Sequence, residues 1–134
     1  MTELSALIER IKDAKEGSRE LSVEVWRALC WKEHSRELSI ETPFTTSLDA
    51  AVALCERVLP GWWWRVGTCH VSDDATIGPD YNSPVHGDRL YREFPLTPHE
   101  DGCGGWLVDV DQRPPRSVAL ALVLAILTAK GRGD

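Results

Sequence analysis

Four consecutive residues, Trp62, Trp63, Trp64 and Arg65, are the part of this chain whose side chains are most suited to binding a ligand. They open the segment 62–71, whose aromatic and β-branched residues predict a strand. In a strand, Trp62 and Trp64 share one face, and Trp63 and Arg65 share the other. An indole beside a guanidinium can stack on a base and hold a phosphate. If Trp63 or Arg65 is exposed, this face suits an anionic, aromatic ligand such as a nucleotide; alternatively, all three indoles pack in the core.

Polar and aromatic residues that follow the strand could complete such a pocket. Residues 72–88 contain two glycines and two prolines among many polar groups, which predicts a loop longer than most connections. A second loop is predicted at 97–105. The candidate ligand-binding residues are therefore Trp63, Arg65, Tyr81, His86, Arg89, Tyr91, Arg92 and His99.

The cysteines and histidines form weaker patterns. Cys30 and His34 are four residues apart in a predicted helix, and His99 and Cys103 have the same spacing in a loop, as zinc ligands can. Neighbouring strand residues point to opposite faces, so Cys69 and His70 cannot act as a nucleophile and its base. The four cysteines lack CxxC spacing, which favours free thiols in a reducing compartment. We expect no metal, no cofactor and no catalytic residue, with a small Cys/His hydrolase as an alternative.

The C-terminal segment 116–130 predicts a helix that is buried on all sides. Its apolar residues lie all around the helix axis, so other elements must surround it. The unbroken apolar run, 118–127, is about half of the ~20 residues needed to cross a bilayer. We therefore expect the core to be built around this helix and no membrane span.

The remaining elements predict an α+β fold with helices on a small antiparallel sheet. Helices are expected after Thr2 (ending at Gly17), after Ser22, and after Thr46 or Ser47 (ending at Pro60-Gly61). Strands are expected at 62–71, 90–94 and 106–110. The length fits a single domain, 1–134, with an N-terminal helical pair (1–34) and a core (46–130).

The charge balance limits the classes of partner. A formal net charge of -6 disfavours direct nucleic-acid binding, because such proteins carry a basic stripe. The N-terminal residues have no positively charged start and no cleavage site, so we expect a cytoplasmic protein. An acidic protein of this size suits a small ligand or a basic protein partner.

Three segments, Pro43–Ala51, Leu59–Trp64 and Pro115–Leu122, resemble the phage ABA-sandwich domain family of small phage and prophage proteins. The similarity covers roughly the last two thirds of the chain. It implies a layered α-β-α sandwich and a viral or prophage gene, and it brings no established catalytic residues.

Together these observations predict a phage-encoded, non-enzymatic binding protein that acts in counter-defence by sequestering a nucleotide-type immune signal of the host. The alternative is an inhibitor that binds a host defence protein directly through an acidic surface. Assembly into a homo-oligomer is a further prediction.

Overall fold

A computed structural model describes residues 3–30, 39–95, 106–113 and 117–132. Within these ranges the chain forms five helices and three strands. In chain order they are α1 (Glu3–Asp13), α2 (Arg19–Leu29), α3 (Leu48–Val58), β1 (Trp62–Thr68), β2 (Asp73–Pro79), α4 (Gly87–Glu93), β3 (Val108–Gln112) and α5 (Val118–Arg132).

Helix α5 is the centre of the core. Every residue from Ala119 to Leu127 is at most 4% exposed, so the helix is buried around its whole circumference. It packs against β2 and β3 on one side and against α1 and α3 on the other. The predicted buried C-terminal helix is confirmed. None of the described helices has the length and apolar character needed to cross a bilayer.

The three strands form an antiparallel sheet in the order β1-β2-β3. Residues opposite one another share a face, so Trp62, Ala75, Ile77 and Val108 all lie on the side that carries α5, and all four are buried. The other side carries the exposed side chains of Arg65, Asp74, Asp109 and Asp111. The layered α+β class with a small antiparallel sheet is therefore as predicted.

Two elements differ from the sequence prediction. The central strand β2 lies within 72–88. The sequence predicted a loop there, because Gly78 and Pro79 are typical of turns. Conversely, 90–94 was expected to be a strand and lies mostly in α4, where Leu90 and Phe94 are four residues apart and meet on one helical face. The third strand begins at Val108 rather than Trp106.

The start of α2 also differs. Ser18, not Ser22, is the N-cap, and its Oγ accepts a hydrogen bond from the Leu21 amide at 3.1 Å. Ser22 is buried and instead forms a hydrogen bond with the Thr45 hydroxyl at 2.8 Å. The cap of α3 is Ser47, one of the two predicted residues, with Oγ 3.3 Å from the Ala50 amide.

Replacing Leu122 with alanine should test the role of α5. Leu122 is fully buried, so Leu122→Ala should lower the free energy of unfolding by ~2–5 kcal/mol through lost contacts and a cavity. Leu107, which is 43% exposed, provides the matched control: Leu107→Ala should cost much less. Urea unfolding of both variants checks this, and equal losses would contradict the central position of α5.

Candidate functional site

A cleft of about 340 Å³ opens where the C-terminal ends of α3 and α5 meet β1 and α4. The chain turns from α3 into β1 at Pro60 and Gly61. Gly61 has a φ of 87°, a conformation that favours glycine. A Cβ on Gly61 would lie 2.5 Å from the Cβ of His86, so glycine also allows the start of α4 to approach. Trp62 then begins β1 at the wall of the cleft.

Three aromatic rings form the apolar part of this cleft. The centroids of Trp62 and Phe94 are 5.2 Å apart, those of Phe94 and Trp106 are 5.0 Å apart, and both pairs meet edge to face. The Trp106 indole donates a hydrogen bond to the Pro95 carbonyl at 3.2 Å. These contacts hold the three rings in fixed positions.

The indole N–H of Trp62 is a donor with no hydrogen-bond partner among the described residues. Trp62 is 7% exposed, and its Nε1 is buried with no hydrogen-bond acceptor among the described residues. A buried donor left unpaired costs ~1–3 kcal/mol.

Two cations line the same cleft. Arg89 Nη1 lies 2.6 Å from a carboxylate oxygen of Glu93, and its Nη2 donates to the Pro60 carbonyl at 2.5 Å. Lys130, from α5, is half-buried and makes no ion pair with any described residue. The lining thus carries two cations against one carboxylate, although the chain as a whole has a net charge of -6.

Other residues predicted to bind ligand gather around α4. The rings of Tyr81 and Tyr91 stack at 4.6 Å, and the Tyr81 hydroxyl donates to the Phe94 carbonyl at 2.6 Å. His86 Nδ1 is 3.4 Å from Arg89 Nη2. Arg92 is exposed on α4. These contacts fix α4 against the cleft, and among these five residues Arg89 alone contributes to its lining.

Trp63 and Arg65 lie elsewhere. The strand register puts them on the open face of the sheet, opposite to Trp62, as the alternation predicts. Arg65 is exposed there, in a row with Thr76 and Asp109, and the Thr76 hydroxyl donates to Asp109 at 3.0 Å. Neither residue lines the cleft. His99, the last of the predicted ligand-binding residues, lies outside the described residues.

The cysteines have contrasting environments. Cys30 and Cys55 are buried, and burial raises the pKa of the Cys55 thiol to about 12. Cys69 is exposed in the turn between β1 and β2, where backbone hydrogen bonds with Val71 and Ser72 lower the pKa of its thiol. Among the described residues there is no cluster of three metal-ligating side chains. His34, His99 and Cys103 fall outside that part of the chain.

Thiol labelling should separate these cysteines. A lowered pKa gives Cys69 more thiolate near neutral pH, whereas a pKa of about 12 keeps Cys55 protonated. In a Cys103→Ser background, Ellman's reagent should modify Cys69 quickly and reach Cys30 and Cys55 only after unfolding. Cys69→Ser should remove the fast phase. Rapid modification of Cys55 in the native protein would contradict its burial.

Comparison with protein-family models, with curated proteins and with solved structures finds no match to this chain. The resemblance to the phage family therefore stays a prediction.

Proposed function

We propose that this protein is a non-enzymatic binding protein that takes a small anionic ligand with an aromatic base, of the nucleotide type, in the cleft between α3, β1, α4 and α5. The observation that carries the proposal is the composition of the lining, which holds three aromatic rings and two cations. Rings stack on a base, and Arg89 and Lys130 attract a phosphate.

The setting of this activity is part of the same proposal. A protein that binds a nucleotide and leaves it unchanged sequesters it, which would deprive a host defence system of its signal. The resemblance of Pro43–Ala51, Leu59–Trp64 and Pro115–Leu122 to a phage family supports a phage gene and a counter-defence role in the host cytoplasm.

Ligand binding should depend on Lys130 and not on Arg65. Lys130→Ala removes a cation without breaking an ion pair between described residues, so nucleotide affinity should fall by about 10- to 100-fold, the effect of one charge-assisted hydrogen bond. Arg65→Ala is the matched control, because it removes a cation from the open sheet face. Isothermal titration with cyclic dinucleotides, cyclic mononucleotides and ADP-ribose checks this, and thermal melting verifies that both variants fold.

Two results of that titration would count against the proposal. Absence of binding of every nucleotide to the wild-type protein would refute the nucleotide ligand. Loss of affinity in Arg65→Ala with none in Lys130→Ala would move the site to the open sheet face, where the sequence alone placed Trp63 and Arg65.

The second candidate function is direct inhibition of a host defence protein. The open sheet face favours it, because Asp74, Asp109 and Asp111 are exposed there on neighbouring strands. A row of carboxylates suits a basic partner surface. If this candidate is correct, Asp74→Asn and Asp109→Asn should weaken binding to the basic partner protein. Both variants should leave the nucleotide affinity in the titration unchanged.

A further inference from the structure

The outer edge of β1 has unpaired backbone groups. Among the described residues β1 pairs with β2 alone, so its other edge has no partner strand there. At the two ends of the hairpin, the Asp80 amide donates to the Gly61 carbonyl at 3.1 Å and the Cys69 amide donates to the Ser72 carbonyl at 2.9 Å. Hydrogen-bonded pairs alternate along an antiparallel ladder, so the odd-numbered residues of β1 bond to β2. The N–H and C=O groups of Trp64 and Val66 therefore point away from the sheet.

The Trp62 amide also points away from β2, and it already has a hydrogen-bond partner. The Trp62 amide donates to the Leu59 carbonyl at 3.1 Å, outside the sheet. The Trp62 carbonyl and both groups of Trp64 and Val66 remain for another strand.

The side chains along this edge do little to prevent pairing. Native edge strands are usually protected by prolines, bulges or several charges. β1 has one charged residue, Arg65, which makes no ion pair with a described residue, and Trp64 leaves 38% of its surface exposed. The edge of β3, in contrast, carries Asp109 and Asp111, which repel a second copy of themselves.

We propose that two copies of this chain pair through their β1 edges, antiparallel, about a two-fold axis at Trp64, to form a continuous six-stranded sheet. The inference does not depend on the proposed ligand. It rests on the outward backbone groups of Trp64 and Val66 and on the side chains that the pairing brings together.

Parity and charge restrict the register, and a cation–π pair favours the axis at Trp64. Opposite residues must share a face, so the axis has to pass through a residue rather than between two. An axis at Arg65 would place two guanidinium groups opposite each other, which is unfavourable. An axis at Trp64 places Arg65 opposite the partner's Trp63, a cation–π pair that occurs twice.

The backbone groups agree with that register. With the axis at Trp64, the Trp64 amide donates to the partner's Trp64 carbonyl, and the Val66 amide donates to the partner's Trp62 carbonyl. The Trp62 amide stays with its own chain, so the Val66 carbonyl is the one outward group of Trp62, Trp64 and Val66 that this register leaves without a partner. The half-exposed Trp64 side chains become covered beside the axis, on the side of the sheet that carries the helices.

Light scattering and native mass spectrometry of the full chain test the dimer. The wild-type protein should have twice the mass of one chain at micromolar concentration. Val66→Pro should be a monomer with an intact cooperative melt, because the lost amide bonds to the partner and not to β2. A wild-type monomer at 100 µM would overturn the proposal, and so would a ladder of trimers and tetramers, which would indicate head-to-tail pairing of β1 with β3.

Disulfide trapping tests the register without relying on the proline variant. In a Cys69→Ser, Cys103→Ser background, Trp64→Cys should give a disulfide-linked dimer on mild oxidation, because residues facing each other in a hydrogen-bonded pair have Cα atoms ~5.5 Å apart, within disulfide range. Arg65→Cys is the matched control and should stay unlinked. Linkage of Arg65→Cys alone, or of neither variant, would overturn the proposed axis.

Discussion

The complete burial of α5 is the constraint on which the rest of the structure depends. A helix that is apolar around its whole circumference must be covered on every side, and here the sheet covers one side while α1 and α3 cover the other. This requirement determines which face of the sheet is apolar. It also brings the C-terminal end of α5 to the end of α3, where Lys130 joins the lining of the cleft.

The sheet separates two surfaces with different chemistry. On the helix side, the stop at Pro60 and Gly61 lets Trp62 enter β1 beside α4, so aromatic rings and cations meet in one cleft. On the other side, and along the β1 edge, Trp63, Arg65 and three aspartates face outward. Alternation along a single strand therefore places the neighbouring residues Trp62 and Trp63 on opposite faces of the sheet, Trp62 at the cleft and Trp63 on the open face.

Much of the core could be predicted from sequence, because its signals are local. The apolar run of α5, the cap at Ser47 and the opposite facing of Trp62 and Trp63 all follow from periodicity and capping. The central strand β2 could not be recognised, because Gly78 and Pro79 are typical of turns and because β3, which pairs with β2 on one side, is distant in sequence. Residues 90–94 were predicted as a strand, and α4 was therefore missed.

The cleft shows the same limit. Arg89 was predicted as a binding residue, but Phe94, Trp106 and Lys130 were not singled out. Their only signal was the presence of aromatic and basic residues at the ends of elements, and their meeting depends on the position of α4.

Hydrogen exchange of the backbone amides measures the burial of α5 most directly. The amides of Leu120 to Leu127 should exchange only through global unfolding, with a protection free energy equal to the free energy of unfolding measured in urea. Exchange of these amides several kcal/mol below that value would contradict the account.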